Sequence, residues 1–429
     1  MNPGLRRALR AISSLWAGSL VGAALAFASQ LILARQLGPA SFGTFAAALS
    51  AATLLAPVAG FGVPGLWLRL FGSEGWTALR WLHASLSVVV VSTSCVILAL
   101  IGWAYLGPND TESKLLLSIL SLHVVGQVSV DMVSAKLQLE GRFLSVAVWQ
   151  VFPHFARLVA LAALWAAAGL ASTKMVAVSY AAVAVVNLVA SSSALAGMVA
   201  GRINLEGHQK VSIKDVVDRR GFGDVAQQAW VFALSSALFL TYSQGPIVLM
   251  KYLVGAQQAG IYGIAYLMLS MIGLLPSAIY QRFLQPKLHR WSAQDPERLK
   301  STYGLGARAM LCAGLLTMAL VWAFVPWLVP LVFGEAFKAS AAVACWLAIC
   351  IPIRFLSSNV GGFMNSHALM LKKVFAMGLS VALNLVLAVA FIERWGPAAI
   401  VFASIASEAF LLVLLLHFTR AQVFHLRRA

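Results

Sequence analysis

The stretch Leu33–Ser50, LARQLGPASFGTFAAALS, returns half a chain later as Leu249–Ser270, LMKYLVGAQQAGIYGIAYLMLS. Arg35 is followed by Leu37, Gly43 and Phe45, and Lys251 by Leu253, Gly260 and Tyr262, with one residue inserted on the way. The two cations lie 216 positions apart in a chain of 429 residues. A motif repeated at half the chain length marks a duplicated unit, so the two halves are expected to fold alike.

What each half contains follows from composition. Hydrophobic residues make up 61% and charged residues 10%, against about a quarter charged in soluble domains. Apolar runs of roughly 20 residues, each enough to cross about 30 Å of hydrocarbon, recur along the whole length. They lack the polar/apolar alternation of a membrane barrel. The expected class is therefore an all-α polytopic membrane protein. The runs read as twelve spans, at 12–34, 43–67, 82–106, 115–135, 144–169 and 175–200, then 226–250, 260–282, 306–331, 339–363, 373–392 and 397–419. The longest break, 201–225, is strongly basic. It divides the chain into a six-helix bundle at 1–200, a linker at 201–225 and a second bundle at 226–429.

The net charge of +17 could suggest nucleic acid. In a membrane protein basic residues gather instead in cytoplasmic loops, and the spans sort them accordingly. Of the cations outside the span interiors, 22 fall on one side and six on the other, the six being Arg35, Lys114, Lys174, Lys251, Lys338 and Arg394. The basic side, with both termini, is expected to be cytoplasmic, and no nucleic-acid partner is expected. An even number of spans per half makes the halves parallel repeats. The start, with Arg6, Arg7 and Arg10 before an apolar stretch and Ala26-Phe27-Ala28, imitates a cleaved signal. The matching segment before Lys251 cannot be one, so the first stretch is read as a retained helix.

The four cysteines, Cys95, Cys312, Cys345 and Cys350, sit inside apolar runs without metal-ligand spacing. No metal, cofactor or disulfide framework is expected. No nucleotide-binding loop, nucleophile triad or catalytic carboxylate pair is visible, which argues against an enzyme. Two like bundles facing one another are a common transporter design.

With Ala34-Arg35, Leu37-Gly38-Pro39, Phe42-Gly43-Thr44-Phe45 and Gly60-Phe61-Gly62, the first hairpin resembles that of bacterial polysaccharide transporters of the O-antigen flippase type. These belong to the superfamily that also holds multidrug exporters and lipid II flippases. The six-plus-six layout extends the resemblance to the whole chain. It implies a bacterial inner-membrane protein that moves an undecaprenyl-pyrophosphate-linked oligosaccharide from the inner to the outer leaflet. It also implies membrane lipid, a polysaccharide polymerase and chain-length machinery as partners. On physical grounds Gly38-Pro39 forces a turn, and Gly43 lets the next helix start close against a neighbour.

Ionisable groups at membrane depth cost roughly 2.5–3.5 kcal/mol each on insertion scales, so each needs a reason. Arg157 lies midway along the fifth span and Arg354 midway along the tenth, each a few residues after a proline, Pro153 and Pro352. A proline at such a place can kink its helix and free carbonyls toward a cavity. A planar, permanently charged guanidinium suits a pyrophosphate, so both are candidates for substrate binding. Arg308, near an end of the ninth span, is a third candidate. His154 precedes Arg157 by three residues on one helix face and is a fourth. The structural alternative for Arg354 is an ion pair with Glu408, whose depth matches. Asp131 and Arg157 differ in depth, and a direct contact is not expected. Asp131 and Glu408 are candidate sites for proton or sodium coupling. Two other functions compete: a cation-coupled drug exporter on the same fold, which would want an acidic cavity, and a membrane glycosyltransferase or polymerase, which would want long outer loops.

Overall fold

The computed structural model describes residues 3–169, 172–205, 220–273, 296–364 and 367–423. Within them the chain is helical and contains no strand. The helices are α1 (Pro3–Ala59), α2 (Val63–Glu74), α3 (Leu82–Leu106), α4 (Thr111–Leu139), α5 (Phe143–Ala168), α6 (Thr173–Val199), α7 (Phe222–Leu253) and α8 (Ala256–Ile272). They continue with α9 (Pro296–Phe333), α10 (Lys338–Leu347), α11 (Cys350–Phe363), α12 (His367–Trp395) and α13 (Pro397–Val423). Short 3-10 turns precede α3 and α10.

Eight described stretches are long and apolar enough to cross a membrane, nine if the bent pair Glu335–Leu347 and Cys350–Phe363 is one span. The first is a 94-residue run, Ser13–Leu106. It is broken at Gly38 (φ 70°) and at the turn Gly60-Phe61-Gly62, and so holds three of the expected spans. The expected ranges fall on helices, with three exceptions: 43–67 crosses the Gly60-Phe61-Gly62 turn between α1 and α2, 339–363 crosses the turn at Ala348–Ile349, and 260–282 is helical to Ile272 and then leaves the described residues. Also outside them lie residues 206–219 of the expected linker, and with it Lys210, Lys214 and Arg219. Arg282, Lys287, Arg290, Arg427 and Arg428 are outside them too. The Ala26-Phe27-Ala28 sequence lies within α1.

The two prolines behave differently. Pro352 lacks the N–H that would bond Ala348 and its ring crowds that carbonyl, and the chain turns at Ala348–Ile349 with a bend of 47°. Helix α9 packs against this break: a Cβ at Gly314 would stand 2.6 Å from Pro352 Cα. By contrast α5 runs through Pro153 as one continuous helix.

The contacts gather into two compact units, Met1–Leu37 with Ala47–Gly245, and Gly38–Ala46 with Pro246–Ala429. In the first unit α4 packs along α6 and also meets α2, α3 and α5. The first part of α7 belongs here because Gly62, in the left-handed region (φ 69°), lies against it. A Cβ there would meet the Ala233 nitrogen at 2.4 Å. The carbonyl of Ala59, freed where α1 ends, accepts hydrogen bonds from Ser92 (2.6 Å) and Thr93 (3.1 Å) of α3, as a backbone group in hydrocarbon requires. In the second unit α12 packs along α13, and α11 along α9 and α13.

The segment 38–46 falls in the second unit because the two motif copies pack on one another. A Cβ on Gly43 would stand 1.8 Å from the Ala256 oxygen, and a Cβ on Gly260 2.1 Å from the Pro39 oxygen. Pro39 and Ala256 each follow the glycine that breaks the helix, Gly38 (φ 70°) and Gly255 (φ 134°). The contact is reciprocal, as between equivalent residues around a two-fold axis.

Lys114 and Lys136 stand near opposite ends of α4, about 33 Å apart at 1.5 Å per residue. In a cysteine-free background, impermeant thiol reagents should label cysteines placed at Lys114, Lys174 and Arg394 from outside intact cells. Cysteines at Lys136, Arg219 and Lys373 should react only after permeabilisation. Labelling of Arg219→Cys from outside would overturn the orientation read from charge.

Candidate functional site

Arg157 projects from α5 into the first unit, between α4 and α6. Its Nη2 lies 3.2 Å from His123 Nδ1, and its guanidinium carbon sits 4.8 Å from the centre of the Tyr180 ring. Arginine only donates, so His123 Nδ1 must accept, which fixes this histidine as the neutral tautomer protonated at Nε2. The His123 and Tyr180 rings meet edge to face at 6.2 Å. Arg157 Nε is buried without a hydrogen-bond partner. No carboxylate forms an ion pair with Arg157 among the described residues. The charge is held by a ring face and a neutral imidazole, and no carboxylate among the described residues pairs with it.

His154, one turn before Arg157, faces α1: a Cβ on Gly22 would lie 3.5 Å from its Cδ2. Gly18, one turn earlier, gives the same close approach to Ala147 of α5, the small-residue spacing that lets membrane helices touch. Asp131, on α4, accepts a hydrogen bond from Gln127 at 3.2 Å and makes no ion pair with Arg157.

Arg354, on α11 of the second unit, is ion-paired through Nε to Glu408 of α13. Glu408 is 3% exposed, so this acid has a neutralising cation where water cannot serve. The guanidinium also stands 5.6 Å from the Tyr266 ring of α8. Tyr266 stacks on Tyr262, whose hydroxyl lies 3.1 Å from Ser404 Oγ, one turn before Glu408. The next helix joins through Asn384, which donates to Ser407 at 3.2 Å. Arg308 is exposed on α9.

Two clusters thus stand where the spans carry midspan arginines, and they differ in kind. Among the described residues the first is a cation without an acid, and the second is an ion pair joined to neighbouring helices by ring contacts and hydrogen bonds. Tyr180, Tyr266 and Tyr262 are the members that spacing along single helices did not reveal. Each lies one to three helices away in sequence from the arginine whose cluster it joins.

The sequence profile of the polysaccharide biosynthesis protein family matches residues 8–292, about two thirds of the chain. The chain belongs to that family. No functionally curated protein matches the sequence.

Solved structures of several transporters share the fold of this polysaccharide biosynthesis protein. A multidrug resistance MATE family transporter of the MOP superfamily, in its inward-facing conformation, is 13% identical with a TM-score of 0.74. That match covers 94% of each chain. The lipid II flippase MurJ, inward closed, is also 13% identical with a TM-score of 0.67, over 95% of this chain and 87% of MurJ. A MOP superfamily transporter from Pyrococcus furiosus, described by a binding pocket of reverse polarity, is 14% identical with a TM-score of 0.62 over the whole of both chains. The protein is therefore a multi-pass membrane protein with the MOP transporter fold.

Proposed function

We propose that this protein is a flippase that moves an undecaprenyl-pyrophosphate-linked oligosaccharide from the inner to the outer leaflet of the bacterial cytoplasmic membrane. Alternating access by the two bundles serves the synthesis of a surface polysaccharide. The observation that carries the reading is Arg157, a permanently charged guanidinium at membrane depth whose Nε is buried without a partner. Such a group is costly unless something anionic visits it, and a pyrophosphate is the anion that this family's chemistry supplies. An exporter of cationic drugs would place an acid there instead. His154 and Arg308 remain secondary candidates for the headgroup. Because Glu408 is committed to Arg354, Asp131, held only by the Gln127 amide, is the better candidate for proton or sodium coupling.

Deleting the gene should leave the lipid-linked oligosaccharide on the cytoplasmic leaflet and reduce surface glycan. Complementation with Arg157→Gln should restore normal protein abundance and yet leave transport lower by about tenfold or more, the scale of a lost charged hydrogen bond. Arg157→Lys keeps the charge without the fork and should restore part of the transport. Unchanged surface glycan in the deletion strain, together with new sensitivity to cationic drugs, would replace this reading with the exporter.

A further inference from the structure

The two midspan arginines have partners of opposite kind. Arg354 is paired with the Glu408 carboxylate, which cancels its charge within the second unit. Arg157 meets a nitrogen lone pair instead, His123 Nδ1 at 3.2 Å, and the face of the Tyr180 ring at 4.8 Å. Both of these groups orient a guanidinium, and neither is an acid. The acid on α4 nearest in sequence to His123 is Asp131, about 12 Å farther along the axis at 1.5 Å per residue, where it accepts from Gln127.

His123 is itself fixed in place. It is buried, and its ring meets Tyr180 edge to face at 6.2 Å. Of the five N–H donors of arginine, the described residues engage one, on Nη2. Other side chains at position 123 could hold Arg157, but with different consequences. A carboxylate would hold it more firmly, because a hydrogen bond between two charged groups is roughly twice as strong as a neutral one. It would also turn the cation into an ion pair, whose field on an arriving anion is that of a dipole. An apolar side chain would leave Nη2 without its acceptor in a buried place. A neutral acceptor alone both aims the guanidinium and keeps its charge.

We propose that His123 is a positioning residue of the headgroup site: it aims the Arg157 guanidinium by accepting from Nη2 and leaves the positive charge for the lipid-linked pyrophosphate. The inference rests on the flippase reading. It names the property by which the site selects an anion, the neutrality of the arginine's partner.

The test is binding of undecaprenyl pyrophosphate to the purified full-length protein in nanodiscs, with membrane abundance and thermal unfolding midpoint measured on the same variants. In Asn and Asp, Oδ1 is bonded to Cγ as Nδ1 is in His, so His123→Asn and His123→Asp both offer an acceptor near the same place. The first is neutral and the second charged, whereas His123→Leu offers none. His123→Asn should bind within about threefold of the unsubstituted protein. His123→Asp should accumulate normally and yet bind about tenfold or more weakly, as weakly as Arg157→Gln, the scale of one charged hydrogen bond. His123→Leu should bind severalfold more weakly, because the charge stays but is no longer aimed.

A role in packing alone predicts the opposite order. The aspartate, with the strongest bond to Arg157, would then be tolerated best and would bind like the unsubstituted protein, which would overturn the proposal. Should His123→Asp fail to accumulate, the other two variants decide: equal affinities in His123→Asn and His123→Leu would overturn it as well. Full affinity in His123→Asp with binding lost in Arg157→Gln would sink the role of His123 and leave the flippase standing. Unchanged affinity in Arg157→Gln would remove both residues from the headgroup site. No binding by the unsubstituted protein, with surface glycan unchanged on deletion, would sink the flippase and this inference with it.

Discussion

Arg354→Ala is expected to lower the amount of folded protein in the membrane several-fold, and Arg354→Ala combined with Glu408→Ala to recover most of it. The single change leaves the Glu408 carboxylate, 3% exposed, without its cation. Breaking a buried pair from one side costs about 3–5 kcal/mol, because the remaining charge is uncompensated. Removing both charges takes away the desolvation cost together with the attraction, and what remains is a cavity. The two single changes should also differ. The Arg354 side chain is 22% exposed against 4% for Glu408 and lies against the Tyr266 ring, so Glu408→Ala should cost less than Arg354→Ala. Abundance in membranes and retention of a single peak after detergent extraction report this directly. Equal abundance of all three variants would mean that the pair contributes nothing to stability. Transport in the double variant then asks a separate question. Recovery of both abundance and transport would confine Arg354 to a structural role, whereas recovered abundance with lost transport would keep it beside the substrate.

This pair was legible in the sequence because depth along a span can be counted. Arg354 and Glu408 stand at matching distances from the ends of their helices, and a charge at that depth needs a partner. For the same reason Asp131, at another depth, could be separated from Arg157. The surroundings of Arg157 were not legible, because counting along a helix gives height but not the direction in which a neighbouring helix turns its face. His123 and Tyr180 reach Arg157 only through the packing of α4 on α6. The spans themselves followed from hydropathy and from the sorting of cations. The breaks within them followed less well: Pro352 ends a helix segment while Pro153 is absorbed into one. The sequence division near 201–225 also differs from the grouping by contacts, since the first part of α7 and the motif segment 38–46 each pack with the other half's residues. Both exchanges occur where glycines admit a foreign backbone, Gly62 against α7 and Gly43 against α8.

That last contact gives the second large effect. Gly43→Ala and Gly260→Ala should each destabilise the protein, and the two together should cost clearly less than the sum. A methyl group on Gly43 would stand 1.8 Å from the Ala256 oxygen and 2.6 Å from the Gly260 nitrogen. These are backbone atoms, so no rotamer change relieves the clash and the two segments have to separate. Overpacking of a close contact costs about 1–3 kcal/mol, occasionally more, which should appear as a fall in the thermal unfolding midpoint of the extracted protein. Because the contact is reciprocal, the separation that admits one methyl also makes room for the other, and residues sharing one contact are not additive. Gly72 and Gly102 supply the control. Each lies inside a helix with nothing within 4 Å of a built Cβ, so alanine there should leave stability unchanged or raise it by about 0.5–1 kcal/mol through helix propensity. Full additivity at Gly43 and Gly260 would show two independent sites. Sub-additivity would show why the chain states the motif twice: each copy is the surface on which the other is packed, and the glycine recurs because both sides of one crossing need it.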